Sequence, residues 1–284
     1  MTRTRGVTTI VEPQAVLEGA GVRLRRSIGT REVNYLDPFL LLDDFGSSDR
    51  SDYEAGFPLH PHRGIETVTY ILSGAVHHKD TLGNSGSIGA GDIQWMTSGR
   101  GILHEEMPQV RPEGIAGFQL WVNLPAKVKM TGPRYQDVRA HRIPEIESRD
   151  GVRIRVVAGT VGVVRGAVTD IAADPTYLDV LVPPRSAYRG PIPPGHTVFA
   201  YVFEGRAKFP GPGHEEVVVP HPRLVVLGDG DEVRVTAGEE PARFLLVSGK
   251  PLHEPIARYG PFVMNTRAEI DQALEDLRLG TFVR

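Results

Sequence analysis

Glycine punctuation constrains this chain more than any other feature of its sequence. Ser73-Gly74, Gly83-Asn84-Ser85-Gly86-Ser87, Gly89-Ala90-Gly91-Asp92 and Ser98-Gly99-Arg100-Gly101 cut the stretch from Thr67 to Leu124 into short pieces. Between these turns lie Thr67 to Leu72, Val76 to Asp80, Ile93 to Met96 and Gly117 to Leu124, which read as strands. In the last of them Phe118, Leu120 and Val122 alternate with Gln119, Trp121 and Asn123, so one face is apolar. Short strands at this spacing, with almost no helical periodicity, predict an all-β sandwich or barrel.

Within this frame two phrases stand out, His60-Pro61-His62 and His104-Glu105-Glu106. Side chains at i and i+2 of a strand leave from the same face. His60 and His62 therefore point together, as do His104 and Glu106. Bringing the two strands together across a barrel interior makes three imidazoles and one carboxylate converge. Nitrogen and oxygen ligands of this kind suit iron, as in the two-His-one-carboxylate sites with one further His.

Length and composition bound the rest. The 284 residues fit one large domain or two of about 140. A net charge of −3 gives no basic field for nucleic acid or a membrane surface. The absence of cysteine excludes disulfides, thiolate metal sites and a cysteine nucleophile. Met1 to Pro13 lacks the apolar core of a signal peptide, and no apolar run nears the roughly 20 residues that span a bilayer. A soluble, cytoplasmic protein is expected, with no direct nucleic-acid or membrane binding.

Thr8 to Val11 and Gly21 to Ser27 read as short strands, and the apolar run from Leu36 to Phe45 as a buried one. Pro125 to Ser148 is polar, carries three prolines and reads as a connection between domains. A second β series follows at Val152 to Ala158, Tyr177 to Val182, Thr197 to Phe203, Leu224 to Leu227, Glu232 to Thr236 and Arg243 to Val247. Its turns at Glu204-Gly205 and Gly228-Asp229-Gly230-Asp231 echo those of the first half, which suggests two similar barrels. The second copy has no His-x-His, and Leu245, Leu246 and Val247 lie where the His104 phrase is expected. Thr266-Arg267-Ala268-Glu269 is a capping box, followed by the apolar stripe Ile270, Ala273, Leu274 and Leu277 and by Gly280, so one helix closes the chain.

The longer phrases resemble the pirin family. They are His60-Pro61-His62-Arg63-Gly64, Glu66 to Tyr70, Gly91 to Thr97, Gly99 to His104 and Glu106-Met107-Pro108. The likeness extends to Arg25 to Gly29, Leu36 to Leu40, Trp121 to Pro125, Glu254-Pro255 and Tyr259 to Thr266, and so covers nearly the whole chain. It implies a bicupin: a metal-binding N-terminal cupin barrel over 1–125, a linker over 126–148, and a C-terminal barrel without metal ligands over 149–284 that ends in a helix. It assigns His60, His62, His104 and Glu106 as ligands to one iron, Fe(II), with Cu, Zn, Mn, Ni or Co as other occupants. Glu66, a ligand in the general cupin pattern, is left a structural or supporting duty.

Other candidates read as ordinary structure. His77 and His78 point to opposite faces, so at most one faces the cavity. His141, His196, His214, His221 and His253 share no ligand spacing, and Arg100 reads as a loop anchor. Trp95, Met96, Phe57, Phe118 and Trp121 read as core, with one or two also forming a substrate wall. No phosphate loop, dinucleotide loop or nucleophile elbow is present.

Three functions follow from the resemblance. The first is a quercetin 2,3-dioxygenase-type oxidoreductase, acting on a small aromatic or flavonol-like substrate and O2, with Glu106 as ligand and catalytic base. The second is a redox-sensing regulator that binds a metabolic enzyme or a transcription factor. The third is a metal-free structural cupin. A monomer is expected.

Overall fold

The structure, a computed structural model, describes residues 2–213 and 215–283. Its named strands all pair antiparallel, and among the described residues the one α-helix is Arg267–Arg278. Among the described residues, no helix is long and apolar enough to cross a membrane.

The chain forms two compact units, and both of its ends cross over. One unit holds Gln14–Ala140 with Leu252–Arg284, and the other holds Met1–Pro13 with His141–Pro251. The N-terminal strand Val7–Val11 thus pairs with Arg223–Leu227, more than 200 residues away. The 1–125 and 149–284 halves expected from the sequence each lose a terminal segment to the other unit. The expected linker is also shorter than 126–148, because Arg134–Val138 pairs with Ile93–Thr97 as an edge strand of the first unit.

The first unit is a sandwich of two open sheets. Seven strands run in the order Arg134–Val138, Ile93–Thr97, Ile65–Ser73, Ile115–Asn123, Phe39–Ser47, Val22–Ile28 and Gln14–Glu18. The facing sheet has four, in the order Phe57–His62, Ile102–Pro108, Ala75–Asp80 and Ser85–Gly89. The last of these extends the loop expected at Gly83–Ser87 into a strand. The apolar run read at Leu36–Phe45 supplies Phe39, Leu40, Leu41 and Leu42, all at most 2% exposed. Burying four such side chains contributes on the order of 6–12 kcal/mol before the entropy of ordering is counted.

The second unit is one nine-stranded sheet folded over a wholly apolar core that includes Val156, Val180, Val202, Phe244 and Leu246. The two strands expected at Glu232 to Thr236 and Arg243 to Val247 are one long strand, Glu232–Gly249. Its shifts of register against Thr197–Pro210 let it serve both layers. The core cluster of this unit joins aliphatic side chains with Tyr188 and Phe209.

The helix forms as its sequence requires. The Thr266 side chain accepts from Glu269 N, and Glu269 Oε2 accepts from Thr266 N at 2.8 Å. Its face carrying Ile270 and Ala273 is buried against Phe262, Met264 and Phe282, all within the first unit.

Candidate metal centre

The four-stranded sheet of the first unit supplies the site. In the pairing of Phe57–His62 with Ile102–Pro108, His104 stands directly opposite His60, and Ile102 opposite His62. Directly opposed residues share a face, so the rings meet: His60 and His104 centroids are 4.5 Å apart, and His62 and His104 5.1 Å. A bulge between these pairs and Glu106–Phe57 puts the extra residue in the Phe57–His62 strand, leaving Ile102–Pro108 regular.

Of the four expected ligands, three come together. One ring nitrogen each of His60, His62 and His104 lies within 4.8 Å of the others, with His62 and His104 buried. Glu106 follows two residues on and is buried too, but its carboxylate is turned to the facing sheet. There it accepts from Thr69 Oγ1 at 3.2 Å and from Gln119 Nε2 at 3.3 Å on each oxygen.

The triad suits a divalent metal. Among the described residues, neither ring nitrogen of His104 has a hydrogen-bond partner, although both are buried. Polar atoms left in that state cost about 1–3 kcal/mol each unless something binds them. Burial also keeps His62 and His104 uncharged. It pushes His104 down to about 4, with His60 adding to the effect and Glu106 opposing it. His62 is pushed well below its ordinary value by burial first, then by His104 and His60. A neutral imidazole is the form in which a histidine binds metal.

His60 and His62 of the triad line a cavity of about 490 Å³, with His104 buried behind them. Its walls include Leu41, Phe57, Trp121, Gln119 and Arg258, along with His60 and His62. Trp121 stands edge-on to His62 at 5.2 Å. Phe57 and Trp121 are therefore wall residues, whereas Trp95, Met96 and Phe118 are core, each at most 1% exposed.

The remaining sequence candidates fall elsewhere. Glu66 is buried and accepts from Thr97 Oγ1 at 2.7 Å, outside the histidine cluster; burial raises its carboxyl above the ordinary value. His78 is opposite Glu106 in the sheet, buried, with Nε2 3.3 Å from Asp137. His77 points outward to Ser87 at 3.1 Å. Arg100 is exposed and anchors its loop through a backbone bond to Thr131. His141 is exposed, His196 lies 3.8 Å from Asp174, His221 is bonded to Gly205 O, and the His253 amide donates to Asp37. His214 lies outside the described residues.

Sequence reasoning passed over Thr69, Gln119 and Arg258. The first two had a signal, since both alternate with core residues on strands. Arg258 had none, because it arrives from the far end of the chain.

Two family models match: Pirin over residues 21–122, and the Pirin C-terminal cupin domain over residues 177–283. A Pseudomonas aeruginosa protein that carries a provisional quercetin 2,3-dioxygenase name is 45% identical, covering 99% of both chains. Human pirin is 43% identical over 98% of this chain and 94% of its own. The crystal structure of a quercetin 2,3-dioxygenase from Acinetobacter baumannii superposes with a TM-score of 0.88 at 35% identity, over 99% of this chain and all of the other. Two tandem cupin domains, with a histidine triad in the first alone among the described residues, and these matches along its length mean that the chain belongs to the pirin family.

Proposed function

We propose that this protein is a mononuclear iron dioxygenase that cleaves quercetin-type flavonols, with His60, His62, His104 and Glu106 as ligands. The observation that carries this reading is the buried His104 ring, without partners on either nitrogen, clustered with His60 and His62, which line a solvent-open cavity walled by Phe57, Leu41 and Trp121. The likeness to quercetin 2,3-dioxygenase from A. baumannii supports the choice of substrate class.

When bound, Fe(II) supplies the path for electrons between substrate and O2. The chain supplies everything else. Phe57, Leu41 and Trp121 give a planar aromatic ring an apolar seat and keep water away from it. Thr69 and Gln119 fix the Glu106 carboxylate, which takes up the proton of the substrate hydroxyl at one of its oxygens.

A second reading, a redox-sensing regulator of a metabolic enzyme or transcription factor, has one observation in its favour. Arg63, next to His62, is tied to Asp276 of the C-terminal helix and to Phe282 O. A change at His62 therefore has a short route to the surface.

Oxygen uptake by iron-loaded protein with quercetin separates the two. Turnover that vanishes in Glu106→Ala and His104→Ala establishes the dioxygenase. Full iron occupancy without turnover sinks it in favour of the regulator. An absence of bound metal after expression with iron, in wild type as in His62→Ala, removes both.

A further inference from the structure

We infer that Arg258, stacked on Trp121 at the cavity mouth, selects the substrate, and that the substrate is a planar aromatic with an anionic oxygen at the end away from the histidines. This deepens the dioxygenase reading and rests on it for the orientation of the substrate.

Arg258 lies outside the metal phrases and enters the first unit on the returning C-terminal segment. Its guanidinium carbon is 5.1 Å from the centre of the Trp121 ring, and that ring is 5.2 Å from His62. Two steps of about 5 Å thus lead from a metal-binding histidine to a cation at the rim, the reach of a fused two-ring aromatic.

The hydrogen bonds of Arg258 leave it underused. Nε donates to Gly260 O at 3.2 Å and Nη1 reaches Leu40 O at 3.5 Å, both backbone carbonyls. Among the described residues, no carboxylate lies at ion-pair distance from it. A guanidinium has five N–H donors in a planar fork suited to carboxylate or phenolate oxygen.

The other charges lining the cavity are already committed. Arg26 holds Asp43 with two bonds of 2.8 Å and Glu18 with one of 2.7 Å. Those three groups together carry one negative charge, which would repel an anion. Arg258 is the cation that neutralises this. Burial and the neighbouring Arg26 both act against its charge, while Glu18 and Asp43 favour it.

The test is calorimetric titration of chelator-treated full-length protein with 2-naphthoate and with methyl 2-naphthoate, which share a ring system and differ in charge. Wild type is expected to bind the carboxylate about tenfold more tightly, the size of one charge-assisted contact at a half-open site. Arg258→Met should abolish or invert that preference while keeping affinity for the ester. Arg258→Lys should keep a preference at lower affinity for both, because the planar stack on Trp121 is lost. Equal binding of both probes by wild type, or an unchanged preference in Arg258→Met with an unchanged melting temperature, overturns the assignment. No turnover is read, so the outcome is independent of the dioxygenase test. A protein that consumes O2 with quercetin yet shows no charge preference defeats the Arg258 assignment alone.

Discussion

Gln119 Nε2 stands 3.3 Å from each carboxylate oxygen of Glu106, so one amide from the seven-stranded sheet holds both oxygens of a side chain on the four-stranded sheet. The amide is itself oriented, since Trp121 Nε1 donates to Gln119 Oε1 at 3.4 Å and Gln119 Nε2 also reaches Thr69. Removing the amide in Gln119→Leu frees the carboxylate to turn. Groups that orient metal ligands typically contribute 10- to 100-fold in affinity or activity. Competition with a chelating dye for nickel or iron should show a loss of about that size. An unchanged affinity in Gln119→Leu would mean that Glu106 takes no part in binding the metal.

Acid should destabilise the metal-free protein through its histidines. In the fold, burial holds His104 at about 4 and His62 well below its ordinary value, whereas both titrate near 6.5 in the unfolded chain. Between about pH 6.5 and 4 the unfolded chain therefore binds protons that the fold refuses. Stability is fully present above 6.5 and is lost as pH falls, by up to about 1.4 kcal/mol per pH unit for each histidine. Urea unfolding of chelator-treated protein at pH 7.5 and pH 5 measures the loss, and His104→Gln should shrink it. At pH 7.5 His62 and His104 are already neutral, so neither releases a proton to the buffer when metal binds.

The C-terminal segment should be needed for the stability of the histidine-bearing strands. Arg63, 3% exposed, donates to Asp276 at 2.7 Å and to Phe282 O at 3.2 Å, and its guanidinium lies 4.3 Å from the Phe282 ring centre. Asp276 keeps 21% of its side chain exposed, which weakens the pair relative to a fully buried one. Arg63→Met should cost about 2 kcal/mol, read from the urea midpoint. A cost within 0.5 kcal/mol, the range of ordinary surface substitutions, would show that the helix is held without this contact.

The histidine cluster was legible because its argument needs only strands: i and i+2 share a face whatever the rest of the fold does. The same holds for the core of Ile115–Asn123, where the alternation of Phe118, Leu120 and Val122 gave the buried face directly. Glu106 shows the limit of that arithmetic. Its strand position was readable, but the direction of its carboxylate depends on Thr69 and Gln119 in another sheet. Arg134–Val138 escaped because RYQDV has no apolar alternation; it is a strand only because Ile93–Thr97 offers an open edge. The exchange of chain ends escaped for a related reason. No local pattern tells Val7–Val11 to pair with Arg223–Leu227, and only the assembled sheet does so.

Lys129 offers a test of how the ends of these strands are fastened. It is 1% exposed, and its Nζ donates to Gly64 O at 2.8 Å, Asn123 Oδ1 at 2.6 Å and Val263 O at 2.8 Å. Three acceptors match the three protons of an ammonium, although burial lowers the group to about 8. Gly64, two residues past His62, has φ +82, and a Cβ there would come within 2.0 Å of Val263 O, so the backbones can meet only at glycine. Lys129→Met keeps the length of the stem but strands three buried acceptors, at a cost of about 3 kcal/mol. Urea unfolding should show that loss, and hydrogen exchange should speed up at the amides of Gly64 and Val263 before the rest of the sheet. A loss below about 1 kcal/mol would mean that water takes over the three acceptors when the ammonium is removed.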